Sequence, residues 1–322
     1  MKVRGMVFAL LCFFSEAQAA HVSIPSKVMD DISDTLATGI PLALFSGVWW
    51  AVANRIPRKW PNLSEPAATF IRATWQEQGL KRPEKIMLKE IPRDSFLSKI
   101  IMYTQELPHA LAVGPPFKEK IETLLYEKVR LEGAYAAEDN PEKKDDLRKQ
   151  LTVVEEGLAE CRFVCGHERV HKERYHTYKM LLIQFIAPFI FHSILKHSAN
   201  ALDRHELWPA VSFLLRKNST RSLLEMITFW ITAHLFEREA DLHASHDPEE
   251  INAGIRLFVR AQALKASAAQ KQGLKTVVLL WFLKYTHPTT PERLSYLRKA
   301  LKRAYRLQHS VTGKSKAYRR NV

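Results

Sequence analysis

The sequence predicts an α+β fold that is predominantly helical, with a small β-sheet and candidate membrane helices. Two observations favour helices: the 322-residue chain contains only 11 Gly, and alternation of Val, Ile and Thr with polar residues is scarce. A hydrophobic content of 46% with 25% charged residues is ordinary for a folded chain with a substantial core. Strand-like segments are confined to residues 85–113, which limits the sheet to a few strands.

The N-terminal segment has the pattern of an export signal. Lys2 and Arg4 form a basic start, an apolar stretch runs from Met6 to Phe14, and Ala17-Gln18-Ala19 fits a small-residue cleavage site. This apolar stretch is too short to span a bilayer. We therefore predict that residues 1–20 are a signal peptide and that the protein belongs to a bacterial cell envelope.

Residues 35–53, within the N-terminal region 21–59, carry no charge and are followed by Arg55, Arg58 and Lys59. The length of this stretch, its two tryptophans and its basic flank predict a transmembrane helix. Gly39 and Pro41 weaken the pattern, so a buried hairpin helix is the alternative. If the segment spans a membrane, the basic flank places the following domain in the cytoplasm.

Residues 60–308 are predicted to form one domain, since no linker interrupts them. Strands are predicted at 85–91, 98–104 and 110–113, and helices at 117–136, 144–177, 180–195, 221–245 and 291–308, with a further apolar segment at 276–283. The charged turn at 137–144 makes the first two helices a hairpin. The uncharged segment 180–195 contains Pro188 and is a core helix, a membrane-dipping helix or a span with a lysine at each end. Residues 309–322 are predicted to be a basic disordered tail.

The formal net charge is +14, which suits an anionic partner or a membrane surface as well as simple solvation. The basic residues are dispersed, and no RNP, zinc-finger or P-loop pattern is present. We therefore predict lipid contact and no nucleic-acid binding. Cys161 and Cys165, spaced i, i+4, are interpreted as buried thiols of a helix rather than as a disulfide or a zinc site.

A metal-binding pattern lies in His167-Glu168-Arg169-Val170-His171. Positions i and i+4 of a helix share a face, so His167 and His171 can reach one ion. Zn²⁺ accepts imidazole nitrogen, and three protein ligands leave a fourth position for water. Glu168 is placed to take a proton from that water as a general base. The alternative, a solvated charged helix face, fits poorly with the apolar residues that flank this segment.

A third ligand is expected from the segment HLFEREADLHAS at 234–245. Glu237 and Asp241 share a helix face at i, i+4, and Glu237 is the candidate ligand. Asp241 would accept the second N–H of a ligating histidine and fix its tautomer. Glu239 points elsewhere on a helical wheel and is interpreted as a solvated carboxylate. On its own such an acidic pair is usually part of a surface, but the upstream histidines favour a metal site.

A further polar phrase runs from Thr286 to Arg293. Its His287-Pro288 ends one segment, and Thr290-Pro291-Glu292 begins a helix with Arg293 in the first turn. The phrase can be an ordinary helix start. Alternatively, His287 and Arg293 lie near the metal as donors to an oxyanion or to substrate carbonyls.

Taken in order, HERVH, EREAD and HPTTPER resemble the M48 metallopeptidases, a gluzincin group with HExxH, then ExxxD, then HPxxxxR. The resemblance covers about residues 85–300, and His176 also matches a histidine common in this family. It implies a zincin fold with Zn²⁺ ligands at His167, His171 and Glu237. The implied roles of the others are a general base at Glu168, support from Asp241, and substrate contact by His287 and Arg293.

Residues 106–116 are similar to the edge strand of the same family, with which an extended substrate pairs by β-augmentation. The sequence departs from the family here, because His109 replaces an Asn and Pro115-Pro116 replace glycines. Arg169 is larger and more basic than the residue usual at its position, and the charged hairpin at about 117–160 is enlarged.

The leading hypothesis is therefore a zinc-dependent endopeptidase that hydrolyses protein or peptide substrates. The alternative is a catalytically inactive, membrane-associated binding protein on the same fold, whose positive charge contacts anionic lipid or an acidic partner. A zinc hydrolase that acts on a non-peptide bond is a third interpretation.

Overall fold

A computed structural model describes residues 59–95, 104–107, 110–205, 208–269 and 287–319. The predicted signal peptide 1–20, the candidate membrane helix 35–53 and the apolar segment 276–283 lie outside these residues. Eight helices are numbered here along the described chain: α1 Glu65–Glu77, α2 Pro115–Ala137, α3 Pro141–Glu173, α4 His176–Arg204, α5 Pro209–Leu215, α6 Asn218–His243, α7 Pro248–Ala269 and α8 Thr290–Arg319. Three short strands lie between α1 and α2: β1 Met87–Glu90, β2 Thr104–Leu107 and β3 Ala110–Val113. The predicted predominantly helical α+β class is confirmed.

The strands form a three-stranded mixed sheet in the order β1-β3-β2. β3 pairs in parallel with β1, with Leu88 opposite Leu111, and antiparallel with β2, with Thr104 opposite Val113. The apolar run ALAV of β3 is buried at every residue, as expected for a strand with a neighbour on each side. The prediction of an edge strand at 106–116 is therefore wrong for β3, which is central. Among the described strands, β2 lies at an edge of the sheet.

The helices begin where proline and capping residues favour a start. Pro115 and Pro141 occupy the first helical positions of α2 and α3, where a missing N–H costs no hydrogen bond. The Asn140 side chain accepts hydrogen bonds from the N–H groups of Glu142 and Lys143, which caps α3. The predicted helical hairpin is thus confirmed as α2 and α3, and its turn falls at residues 138–140.

Helix α3 lies between two apolar cores and so holds the site in place. On one side Cys161 and Cys165 pack with α1, α2 and the sheet, in a core that includes Ile71, Trp75 and Leu111. The Trp75 indole N–H donates to the Cys165 carbonyl oxygen at 2.7 Å. On the other side Phe163 packs with residues of α7 and α8, including Ile251, Ile255, Leu294 and Leu297.

Among the described residues, close contacts define two compact units, of which one includes those of 179–229 and the other those of 59–178 and 230–319. In the first unit, α4 is long and apolar enough to cross a membrane, with a hydropathy of 1.5 over its best window. Only 11% of that window is buried. Leu182, Ile186, Ile190 and Ile194 form an exposed stripe at i, i+4 spacing.

Helix α8 corrects the prediction for the C-terminal end of the chain. Its start is capped by Glu292, whose carboxylate accepts from the N–H and the hydroxyl of Thr289 at 2.8 Å. The helix continues to Arg319, whereas the composition predicted a disordered tail from residue 309. Extending a helix that has already formed adds a hydrogen bond per residue without a second nucleation step, which the local composition does not reveal.

Candidate metal centre

The two histidines of the HExxH segment lie on one face of α3, in its last two turns. The Nε2 atoms of His167 and His171 are 3.0 Å apart, and the rings meet edge to face with centroids 4.7 Å apart. Both side chains are largely buried, at 13% and 12% exposure. Helical i, i+4 geometry therefore directs two imidazole nitrogens to a single point, as the sequence predicted.

Glu237 enters the same point from α6. Its Oε2 lies 3.6 Å from His167 Nε2, and its Oε1 lies 3.4 Å from His171 Nε2. One donor atom from each of the three residues falls within 4.8 Å of the others, a grouping suited to one metal ion. Within the described part of the chain, Glu237 Oε2 is buried and accepts no hydrogen bond. A buried carboxylate oxygen without a hydrogen bond is costly, and a cation between it and the imidazoles would satisfy it.

The charge state of Glu237 also suits a ligand. Burial alone would raise the pKa of its carboxyl, but His287, His167 and His171 outweigh burial and hold the pKa well below its ordinary value. The group is thus an anion at neutral pH. Two imidazoles and one carboxylate are a donor set typical of catalytic zinc, so the residues present fit Zn²⁺.

Asp241, one turn beyond Glu237, contacts the His167 ring at Nδ1, the nitrogen that does not face the metal position. Its Oδ1 lies 2.9 Å from His167 Nδ1, the distance expected if that nitrogen donates. The Arg293 guanidinium donates to both carboxylate oxygens, at 2.7 and 2.6 Å, and the Tyr296 hydroxyl donates to Oδ2. Burial opposes ionisation of Asp241, but the charge of Arg293 and the hydrogen bond from His167 lower its pKa below the ordinary value. The carboxylate is therefore anionic and fixes the His167 tautomer with Nε2 free to bind.

Glu168 lies on α3 next to the first histidine and contacts the sheet. Its Oε1 accepts a hydrogen bond from the Thr104 hydroxyl at 2.8 Å. Thr104 is the first residue of β2, so the edge strand begins beside the carboxylate. The sequence did not single out Thr104, because the contact joins residues that are far apart in the chain.

Arg169, a departure from the family pattern, is buried at 6% exposure. Its guanidinium donates to Glu173 and to the carbonyl oxygen of His243, each at 2.8 Å. The second contact caps the last turn of α6, where carbonyl oxygens have no intrahelical partner. The long basic side chain therefore joins α3 to the end of the helix that carries Glu237.

The two predicted substrate contacts differ in the structure. His287 Nε2 lies 3.6 Å from Glu237 Oε2, so the imidazole is at the site. Burial lowers the pKa of His287 and leaves the ring neutral at pH 7. Arg293 directs its donors to Asp241 and lies 3.6 Å from Glu237. This geometry favours support of Asp241 over the predicted direct contact with substrate.

His176 and Glu239 form a further part of the site. His176 Nδ1 lies 3.0 Å from His171 Nδ1, and its Nε2 lies 3.2 Å from Glu239 Oε2. Glu239, predicted to be a solvated carboxylate, is one-third exposed and in addition contacts His176. A helical wheel of α6 alone places it away from Glu237, but the first turn of α4 lies on that other side.

Cys161 and Cys165 are buried free thiols, as predicted. Burial raises the pKa of Cys161 to about 12 and that of Cys165 well above its ordinary value. Both remain protonated at neutral pH and belong to the core rather than to the metal centre.

A helical α+β fold with HExxH on one helix and a glutamate from a second helix defines a metallopeptidase-like site. The family model of peptidase family M48 matches residues 134–301, just over half of the chain. The chain belongs to peptidase family M48, and its substrates are accordingly proteins or peptides. No curated protein and no solved structure matches the chain.

Proposed function

We propose that the protein is a zinc-dependent endopeptidase in which Glu168 is the general base. The observation that carries this proposal is the convergence of His167, His171 and Glu237 within 4.8 Å, with Glu168 next to His167 on the same helix. Membership of a peptidase family supports the choice of a peptide bond as the target.

His167, His171 and Glu237 would hold the ion. When bound, Zn²⁺ supplies Lewis acidity that lowers the pKa of water and polarises a carbonyl group. Asp241 holds the His167 ring by accepting its Nδ1–H, and Arg293 and Tyr296 hold Asp241 in turn. The His167 ring is thus fixed by hydrogen bonds before substrate arrives, which reduces the reorganisation needed during the reaction.

Glu168 takes a proton from the attacking water and then gives it to the leaving amine. The Thr104 hydroxyl donates to Oε1, which orients the carboxylate and leaves Oε2 for the proton. His287 is neutral and lies at the site, so its ring N–H can donate to the oxygen on which negative charge develops.

An extended substrate would pair with β2. This strand has β3 on one side, and its first residue contacts Glu168. Main-chain hydrogen bonds to an edge strand would hold a peptide in register without demanding a particular side chain. Pairing with β2 would therefore place the scissile carbonyl of the peptide close to Glu168 and the metal ligands.

We also assign α4 to lipid contact. Its exposed stripe of Leu182, Ile186, Ile190 and Ile194 is the surface that a membrane or detergent would cover. Lys179 and Lys196 flank the apolar segment and can reach the polar headgroups. Residence in a bacterial envelope remains a prediction from the N-terminal signal pattern.

Substitution of Glu168 by Gln tests the mechanism. The variant should bind Zn²⁺ as the native protein does and should cleave fluorescently labelled casein roughly 10²- to 10⁴-fold more slowly, because general base catalysis is lost. Glu155→Gln, on the exposed side of the same helix at 54% exposure, is the matched control and should retain full activity. Native-like cleavage by a zinc-loaded Glu168→Gln protein would refute the assigned mechanism.

A further inference from the structure

We infer that His176 and Glu239 are positioning residues that orient His171 for the metal ion through a chain of two hydrogen bonds. The inference rests on the proposed zinc site and adds residues to which the HExxH and ExxxD patterns give no function. It concerns how the second imidazole is held, whereas Asp241 holds the first.

Three polar groups line up from the metal centre outward. His171 Nδ1 faces His176 Nδ1 at 3.0 Å, and His176 Nε2 faces Glu239 Oε2 at 3.2 Å. The His171 and His176 rings meet nearly at right angles, at 84°, with centroids 4.9 Å apart. Both distances are those of hydrogen bonds, so each pair needs one donor and one acceptor.

Only one arrangement of protons satisfies the chain when His171 binds through Nε2. Its Nδ1 must then carry the hydrogen and donate it to His176 Nδ1. His176 Nδ1 is thus unprotonated, its Nε2 carries the hydrogen, and that hydrogen is donated to the Glu239 carboxylate. Glu239 therefore fixes the tautomer of His176, and His176 fixes the tautomer and ring plane of His171.

The fold holds His176 in this position with little freedom. The chain reverses between α3 and α4 at Tyr175, whose φ of 56° lies in the left-handed region that residues with a Cβ seldom adopt. The reversal makes His176 the first residue of α4 and directs it back to α3. The ring is buried at 2% exposure and stacks on Phe236 of α6, with centroids 4.2 Å apart and an interplanar angle of 3°.

The two metal-binding histidines are consequently supported in different ways. His167 donates directly to Asp241, a carboxylate with no exposed surface. His171 donates to an intervening imidazole, and the terminal carboxylate of Glu239 is 33% exposed. The support of His171 therefore ends in a carboxylate that lies closer to solvent. Loss of His176 or Glu239 should weaken metal binding although neither residue is a ligand.

The experiment measures the Zn²⁺ dissociation constant of full-length protein in detergent by competition with a chromophoric chelator. His176→Phe keeps the ring shape and the stack on Phe236 but removes both nitrogens, and it should weaken Zn²⁺ binding roughly 10- to 100-fold. Glu239→Ala should weaken binding by a smaller factor. Glu239→Gln, which retains an acceptor oxygen, should restore most of the affinity.

A double variant separates positioning from general packing. If the two residues act in one chain, His176→Phe with Glu239→Ala should bind Zn²⁺ no more weakly than His176→Phe alone. Multiplication of the two single effects would overturn the inference. Arg174→Gln is the matched control, because the Arg174 guanidinium also lies near Glu239, with Nε 3.5 Å from Oε1, and its removal should leave Zn²⁺ affinity unchanged.

The possible failures can be told apart. If His176→Phe does not fold, the Zn²⁺ affinities of Glu239→Ala and Glu239→Gln test the inference instead. Equal Zn²⁺ affinity in these two variants would refute the proposed chain of hydrogen bonds. Native affinity in folded His176→Phe would refute it directly and leave the proposed peptidase intact. A native protein that binds no Zn²⁺ would overturn the proposed function and this inference together.

Discussion

Replacement of Asp241 by Asn tests how far the metal centre depends on its buried carboxylate. The Asp241 side chain has no exposed surface and accepts from His167, Arg293 and Tyr296. Asn has nearly the same shape but carries no charge and only one acceptor oxygen. The substitution therefore leaves the Arg293 guanidinium, at 12% exposure, without its main counter-charge.

Breaking one partner of a buried ion pair costs about 3–5 kcal/mol. Arg293 also lies 3.6 Å from Glu237, which compensates part of the charge, so we expect the lower end, about 3 kcal/mol. For a domain of this size the thermal midpoint should fall by roughly 6–12 °C, measured by circular dichroism with a chelator present to exclude metal effects. Zn²⁺ affinity should fall roughly 10- to 100-fold.

Asp145→Asn is the matched control, because Asp145 pairs with Lys149 on the exposed surface of α3. It should leave both the midpoint and Zn²⁺ affinity unchanged. An Asp241→Asn protein with the native midpoint would refute the argument that this buried pair is needed for the fold.

The same pair of proteins gives a test at low pH. The folded state lowers the pKa of Asp241, so its contribution to stability is present above the unfolded pKa of about 3.9. That contribution is lost as pH falls from about 4 through the lower folded pKa. The difference in midpoint between native protein and Asp241→Asn should therefore be constant near neutral pH and shrink below about pH 4. A difference that grows on acidification would contradict the assigned charge state.

Two further substitutions test the packing of the site and its base. In Gly166→Ala the new Cβ would lie 1.9 Å from the Ala244 carbonyl oxygen, so α3 and the end of α6 must separate, and the midpoint and Zn²⁺ affinity should both fall. Gly133→Ala, with nothing within 4 Å of its Cβ, should leave the midpoint unchanged or raised. Thr104→Val removes the hydroxyl that donates to Glu168 and should reduce kcat/KM roughly 10-fold with Zn²⁺ affinity unchanged, whereas loss of zinc would indicate a structural role.

Local sequence spacing was enough to predict the parts of the site that lie on single helices. His167 and His171 at i, i+4 must share a face, and so must Glu237 and Asp241, whatever the rest of the chain does. These inferences require only the helical period, which the apolar residues of the sequence reveal. The start of α3 was predicted at residue 144, three residues too late, because Asn140 and Pro141 were assigned to the turn although they cap and begin the helix.

Contacts between elements that are distant in the chain could not be predicted in the same way. The sequence offers no sign that Thr104 would reach Glu168, because this depends on the pairing of β2 with β3. The strand order β1-β3-β2 depends on the parallel pairing of β3 with β1, which the sequence does not reveal. A short apolar run such as that of β3 is compatible with a central strand as well as with an edge strand. Membership of the M48 family predicted the three ligand positions, whereas the Glu239 contact follows from the local reversal at Tyr175.

One turn and a half of α6 therefore acts on both metal-binding histidines of α3. Glu237 faces both Nε2 atoms, Asp241 accepts from His167, and Glu239 reaches His171 through His176. Residues two apart on a helix point about 160° away from each other, so Glu239 acts on His171 through His176, the first residue of α4, which contacts both. Metal affinity and the packing of α3 against the end of α6 should consequently change together, since any shift of one helix moves a ligand and its supports at once.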